Sequence, residues 1–401
     1  MLGTFEGKTR RRPLLHVLRR RRRLREGLVQ LLAVSAGVAL GVLLPRITSG
    51  PTVDGAAAAQ LLIGLGAAII PFIGIVFSLL FLVVQFGTTT WTPRLNLFRD
   101  SPLVWRSFAY FVGLMVWAAS AALTVGGREE VSVVVPIVGV VGVIGALLVF
   151  RALQMEAFRS IQLAPTLAEI TGRGRTVIDA LYGEPFDPAR ASRAPLPEAR
   201  REIRWPAHAG VLRQIHLPAL VDAATRVDGI VELTVEVGDV VREGGVVAVL
   251  RGGAGDVDAP ALLASFDVGL ERTFDQDPRF AFRLLADIAL RALSPAVNDQ
   301  TTAVEVVDAI DSLLSRVSSR DLDVGWIRNA AGELQVVIPV PGWEEYVDLA
   351  IGDIVRAGAA VPPLLRRLGK LIDDITEAAP TARHNVLADW RERLESSPVR
   401  Q

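Results

Sequence analysis

AAAAQLLIGLGAAIIPFIGIVFSLLFLVVQF, residues 56–86, contains no charged side chain. As a helix rising 1.5 Å per residue it would be about 46 Å long, against a hydrocarbon core of about 30 Å. That is too long for an ordinary soluble core helix and reads as a membrane span that tilts, bends or protrudes. Pro71 lies near its middle, where it removes a backbone hydrogen bond and favours a bend. Gly64, Gly66 and Gly74 would admit close neighbours.

Three more apolar stretches surround it, giving expected spans at 28–47, 56–86, 105–125 and 131–153. The first carries Ala33, Gly37 and Gly41 at four-residue spacing, a stripe suited to helix packing. The third carries Tyr110 and Trp117, and the fourth Pro136, Gly139, Gly142 and Gly145. Ahead of them, residues 1–27 form a basic tail with Arg10–Arg12 and Arg19–Arg23. Positive charge beside a first span places the N-terminus in the cytoplasm. A nucleic-acid partner is set aside, because the adjacent span already explains the charge. A cleaved secretory signal fits poorly, since no clear A-x-A site follows. The loop after the second span holds Arg94, Arg99 and Arg106, whereas the outer loops hold only Arg46 and Arg128. Four crossings then put both termini on the cytoplasmic side of the inner cell membrane, with Trp91 and Trp105 at the interface.

The polar content of the spans is Ser35, Gln60, Ser78, Gln85, Ser120 and a few threonines. Proton relays and voltage sensors need intramembrane charge, so this content argues against a titratable pump. It leaves two readings: helix packing by small residues, or a homo-oligomeric pore lined by glycine, hydroxyls and carbonyls.

The chain of 401 residues has 21% charged side chains, Lys and Arg balancing Asp and Glu at 43 each, so it holds more than a bare bundle. Most of its acid lies after Glu156. No cysteine is present, which excludes disulfides, thiolate nucleophiles and Cys-type zinc sites.

Residues 156–208 read as a connecting segment, with Pro185, Pro188, Pro195 and Pro197 interrupting any long helix. Residues 209–401 read as a cytoplasmic α+β domain containing a small β-sandwich or barrel and a helical C-terminal part. Residues 211–215 alternate, 217–225 suggest a short helix, and 229–237 are β-rich. Gly238-Asp239 between β-branched runs predicts a hairpin. The stretch GIVELTVEVGDVVREGGVVAVL also looks like half of a biotinyl or lipoyl carrier, but no lysine stands where one would take the prosthetic group. Lys8 and Lys370 are the chain's lysines, so no cofactor is expected. A helix is expected over 279–293, and a second after Ser294-Pro295-Ala296-Val297-Asn298-Asp299, capped by Asn298 or Asp299. Strands at 323–328 and 333–338 and helices at about 343–358, 361–377 and 380–395 complete the chain.

Three segments carry a family likeness: GIVFSLLFLVVQFGTTTWTPRLNLFRD, AGVLRQIHLPALVDAATRVDGIVELTVEVGDVVREG, and RTFDQDPRFAFRLLADIALRALSPAVNDQTTAVEVVD. Together they resemble the bacterial predicted membrane proteins of domain-of-unknown-function family 2254. In that family the span exit looks like QFSPRLLRNFLRD, matched here by Gln85, Pro93, Arg94, Phe98, Arg99 and Asp100, with GTTTWT as a departure. The helix junction looks like SPGINDPFTA. Ser294, Pro295, Asn298, Asp299, Thr302 and Ala303 match it, and Ala296, Gln300 and Thr301 do not. The resemblance implies an integral membrane protein with a cytoplasmic domain and adds no chemistry.

Two functions remain open. One is an oligomeric ion channel or pore gated by its cytoplasmic domain, with Pro71, Gln85, Pro93, Arg94, Arg99 and Asp100 as its candidate residues. The other is a non-catalytic membrane sensor or scaffold binding an unidentified cytosolic ligand or protein. An enzyme using Asp275, Asp277, Asn298 and Asp299 on a hard cation would need those oxygens to converge. His16, His208, His216 and His384 are scattered, and no P-loop, nucleophile elbow or dinucleotide fingerprint is present. No catalytic or metal residue is therefore assigned.

Overall fold

The computed structural model describes residues 18–90, 102–188, 195–253, 255, 257–329 and 331–396. The chain divides into two compact units, Met1–Val83 with Leu97–Phe158, and Val84–Asn96 with Arg159–Gln401.

In the first unit, α1 (Leu18–Leu43), α2 (Gly55–Thr90), α3 (Pro102–Val125) and α4 (Val134–Ser160) are the dominant elements. The segments long and apolar enough to cross a membrane are Gly27–Arg46, which runs from α1 through the short 3-10 turn after it, Gly55–Val83, Pro102–Val125 and Val134–Ser160. The expected stripe on α1 does pack. A Cβ on Gly37 would lie 2.5 Å from the Gly113 carbonyl oxygen, and one on Gly41 would lie 2.9 Å from the Ala121 nitrogen. On α4, Gly139 and Gly142 receive the side chains of Leu65 and Leu114, and the Tyr110 hydroxyl donates to the Gly142 carbonyl at 2.9 Å. Phe72 of α2 stacks on Phe111 of α3 and meets Phe150 of α4 edge-on. Helix α3 is thus the hub, its partners admitted by small residues. Pro71 lies inside α2, and the helix continues through it.

Two short strands were not expected from the sequence. β1 (Thr52–Asp54) pairs antiparallel with β2 (Glu130–Ser132), tying the α1–α2 and α3–α4 connections together. Their three-residue length gives no periodicity to read. Asp54 then accepts from Ala57 N at 2.7 Å and caps α2.

The second unit is a mixed α/β body. It begins with α5 (Leu163–Leu181), which lies in the stretch read as a connector. The four prolines that suggested a break all follow this helix, so its apolar face of Leu167, Ile170, Val177 and Ile178 is buried. Next come β3 (Ala199–Arg204), β4 (Gly210–Ile215), α6 (Leu217–Val227), β5 (Ile230–Leu233), β6 (Val240–Val241), β7 (Val246–Arg251), α7 (Ala259–Leu263) and β8 (Phe266–Gly269). The helices α8 (Arg279–Ala292) and α9 (Gln300–Ser318) follow, then β9 (Trp326–Arg328) and β10 (Leu334–Val337). A π turn, Asp348–Gly352, joins α10 (Trp343–Val347) to α11 (Asp353–Ala357). The chain ends with α12 (Pro362–Ala378) and α13 (His384–Glu395).

The strands form one sheet ordered β3-β7-β5-β10-β9 and another ordered β6-β4-β8, and among the described residues no barrel closes. Both sheets and α6 share one core, in which Val231, Leu250 and Val336 meet Leu212, Phe266 and Leu220. The hairpin expected at Gly238-Asp239 is corrected here. β5 pairs with β7, whereas β6 pairs with β4 of the other sheet. The turn is therefore a crossing between sheets, with Gly238 at φ +98° donating to the Leu212 carbonyl at 2.7 Å.

In the helical layer, α8 and α9 bury Phe282, Leu285, Val306, Ile310 and Leu313 completely. The buried Arg383 closes the C-terminal end of α9. Its guanidinium donates to the carbonyls of Val317 at 2.8 Å, Ser318 at 2.6 Å and Arg320 at 2.6 Å. It also lies against the rings of Phe186 and Trp343. Burial pushes its pKa down to about 10, which still leaves it charged at neutral pH.

Candidate functional site

Helix α2 has two contrasting faces. Leu62, Ile69, Val76 and Val83 recur every seven residues and are buried. On the opposite side lie Gln60, Gly64, Ala67, Pro71, Gly74 and Ser78, all exposed. At 100° per residue these six fall within an arc of about 80°. Nothing lies within 4 Å of the position a Cβ would take on Gly64 or Gly74. The Ser78 hydroxyl donates back to the Gly74 carbonyl at 3.0 Å, so it adds a polar edge without reaching another helix. Gln85, near the end of α2, is also exposed. Pro93, Arg94, Arg99 and Asp100 lie outside the described residues, as do Trp91 and Arg10–Arg12 of the tail.

The second-unit candidates separate into a buried group and an exposed one. Asp277 is 1% exposed. It accepts from Arg272 Nε at 2.7 Å and from Phe280 N at 3.1 Å, so it both pairs a charge and caps the start of α8. Burial pushes its carboxyl above the usual range, against the pull of Arg272. Asp275 accepts from the Thr273 hydroxyl at 2.8 Å. Between them, Gln276 exchanges two hydrogen bonds with the main chain of Ile215, at 2.9 and 3.1 Å, as a strand residue would. The RTFDQDP segment thereby fastens the β-sheets to α8.

Ser294, Asn298 and Asp299 form the exposed turn between α8 and α9. Ser294 Oγ donates to the Arg291 carbonyl at 2.7 Å, and Asn298 is left-handed at φ +49°. Asp299 accepts from Thr302 N at 3.0 Å and from Thr302 Oγ1 at 2.6 Å, and the Thr302 hydrogen bonds hold its carboxyl below the usual range. Gln300 is the first residue of α9, a position where the family's proline would equally fit. Among the described residues no three His, Asp or Glu side chains are grouped as a metal ion requires.

A half-buried polar cluster escaped the sequence reading. Arg279 lies 2.8 Å from Glu236 Oε2 and 3.8 Å from Asp239 Oδ1, and it donates to the Val237 carbonyl at 3.2 Å. Beside it the hydroxyls of Tyr182 and Tyr346, both fully buried, meet at 2.8 Å. Burial pushes the Tyr182 phenol up to about 12. Gly238 adjoins the Arg272–Asp277 pair so closely that a Cβ would lie 2.6 Å from Asp277 Oδ2. The available signal was the tyrosine count, because two of the chain's three tyrosines lie here. An uncharged phenol ring in a core leaves no pattern of spacing, and Glu236 and Arg279 lie on different elements.

No solved structure matches the chain. Uncharacterized proteins of Mycobacterium bovis and Mycobacterium tuberculosis are each 31% identical to it in an alignment of 331 positions that covers 79% of the chain. The chain spans 63% of the length of these curated relatives. The family described as "Predicted membrane protein (DUF2254)" matches residues 27–374. That match takes in the apolar helices, the RTFDQDP fastening and the α8–α9 turn alike, and the chain belongs to this family of predicted membrane proteins.

Proposed function

We propose that the four helices span the inner membrane, and that copies of the chain assemble around α2 to form an ion channel or pore. In this reading the N-terminus and the second unit are cytoplasmic, the β1–β2 ribbon is outside, and the second unit controls opening. The observation that carries it is the small and polar face of α2, presented opposite the buried seam of Leu62, Ile69 and Val76. Hydrocarbon gives the Gln60 amide no hydrogen-bonding partner and the open faces of Gly64 and Gly74 nothing to pack against but lipid, whereas a second helix or a water-filled path does. Purified protein in liposomes should pass ions, and Gly74→Leu should reduce the flux while leaving the protein folded. Absence of conductance across voltage, tension and pH would refute the channel.

The second reading is a membrane-tethered sensor or scaffold. It rests on an open groove of about 480 Å³ between α12 and α13, where Ile372, Leu387 and Ala388 are rimmed by Asp373, Glu377, His384 and Arg391. A cytosolic partner recovered from native membranes should be lost on Ala388→Glu, and equal recovery from both proteins would count against this role.

A further inference from the structure

The turn between α8 and α9 carries an apolar tip that the rest of the second unit leaves uncovered. Pro295, Ala296 and Val297 are all exposed, Val297 by 51%. The main chain holds them outward: Val297 N and Asn298 N both donate to the Ser294 carbonyl, at 3.0 and 2.9 Å, and Asp299 N donates to that of Ala292 at 2.8 Å. The acid of the turn, Asp299, is taken up by Thr302.

Packing fixes which end of the helical layer this is. A Cβ on Gly174 of α5 would lie 2.7 Å from the Ala281 Cβ of α8 and 3.2 Å from the Leu313 methyls of α9. Further along α5, Asp179 pairs with Arg316 of α9. Helix α5 therefore runs parallel to α9 and antiparallel to α8. From that crossing, Leu163 lies about 17 Å back along α5, Ala292 about 17 Å on along α8, and Gln300 about 20 Å back along α9. The start of α5 and the α8–α9 turn thus share one end of the layer. Helix α4 ends at Ser160 and α5 begins at Leu163, a step that reaches at most about 10 Å. Along α4, Ile144, Leu148, Met155 and Phe158 form an exposed apolar stripe that runs to within two residues of its end, which suits contact with lipid. Arg151 stands among them, exposed, on a stem long enough to carry its charge to the headgroups.

We propose that residues 294–298 are a membrane-resting knuckle: Pro295, Ala296 and Val297 enter the boundary between headgroups and acyl chains of the cytoplasmic leaflet. The partner is the lipid surface itself. A convex, uncharged tip complements an apolar interior, and basic side chains complement anionic headgroups. Arg291 in the last turn of α8 and Arg159 at the end of α4 supply that charge, since among the described residues no carboxylate pairs with either. The knuckle steadies the helical layer on the bilayer where the chain leaves it. This proposal rests on the reading of α4 as a membrane span and requires no conduction.

Because the chain has no cysteine, a single nitroxide label can be attached at Val297→Cys in the full chain. The labelled protein is placed in vesicles of phosphatidylethanolamine and phosphatidylglycerol. Collisions with oxygen, which concentrates in lipid, are then compared with collisions with a nickel chelate, which stays in water. Ile144→Cys, exposed near the middle of α4, reports whether that helix lies in lipid, and Ser319→Cys, exposed at the opposite end of the layer, reports water. The oxygen-to-nickel ratio at Val297 should exceed that at Ser319 severalfold and fall below that at Ile144. A ratio equal to that at Ser319, with Ile144 in lipid, overturns this proposal alone. A watery Ile144 overturns the span reading and the proposal with it. An immobilised label shielded from both reagents overturns the proposal too, because protein then covers the turn. Ala296→Cys gives the same readout should Val297→Cys fail to fold.

Discussion

Replacing Gly37 by alanine tests whether α1 truly rides on α3. The added Cβ would lie 2.5 Å from the Gly113 carbonyl oxygen and 3.2 Å from the Trp117 nitrogen, both backbone atoms that no rotamer change can move. An ordinary C···O contact is about 3.3 Å or more, so the helices must part by about 0.8 Å. A gap of that size forfeits a quarter to a half of each contact worth roughly 0.1–0.2 kcal/mol. Over on the order of thirty atom pairs at the crossing, the loss is about 1–3 kcal/mol, in line with overpacking generally. Gly64→Ala is the control, because nothing lies within 4 Å of its Cβ position. Unfolding in mixed micelles titrated with dodecyl sulfate, followed by circular dichroism, should show Gly37→Ala destabilised by about 2 kcal/mol. Gly64→Ala should leave a single chain's stability unchanged. If Gly37→Ala falls within about 0.5 kcal/mol of the parent, as surface substitutions do, the close crossing is wrong.

Arg383→Ala would strip donors from the carbonyls of Val317, Ser318 and Arg320. At roughly 1–3 kcal/mol for each group left unsatisfied, partly relieved by water, denaturant unfolding should register a loss of about 3–5 kcal/mol; a loss under about 1 kcal/mol would contradict the capping role. Tyr182→Phe should cost about 1–2 kcal/mol, because the Tyr346 hydroxyl loses its partner. The Tyr182→Phe, Tyr346→Phe double variant should lose less than the two singles combined, by at least about 0.5 kcal/mol, and strict additivity would show that the hydroxyls are not coupled.

The four apolar helices were legible because a span advertises itself through length and lack of charge, and Gly37 and Gly41 advertised their contact through size and spacing. α8, α9 and the strands around residues 326–337 were equally plain from apolar period and capping, with Asp299 standing where a cap was expected. Gly238-Asp239 misled for a physical reason. A turn signal reports local φ and ψ, and β6 turns just as sharply to join β4 as it would to join β5. Pro185, Pro188, Pro195 and Pro197 hid α5 although all four follow it. The second-unit site residues were half legible: the acids of RTFDQDP stood out, but Asp277 binds Arg272 and caps α8, and Asp275 accepts from Thr273. Glu236 and Arg279 could not be paired in advance, because they lie on different elements and only the packed fold brings them together.

The one parallel pairing in the larger sheet, β5 with β10, has a consequence for how the protein is made. β5 and β7 can meet as soon as both have left the ribosome, but β10 follows about a hundred residues later, and such long-range pairings form slowly. Until then β5, with Val231 and Leu233 destined for the core, offers one unpaired edge. Such an edge is a template for association with other chains. Synthesis halted within α9 would therefore release a chain with its apolar helices made, α10 to α13 absent and its central sheet open to aggregation.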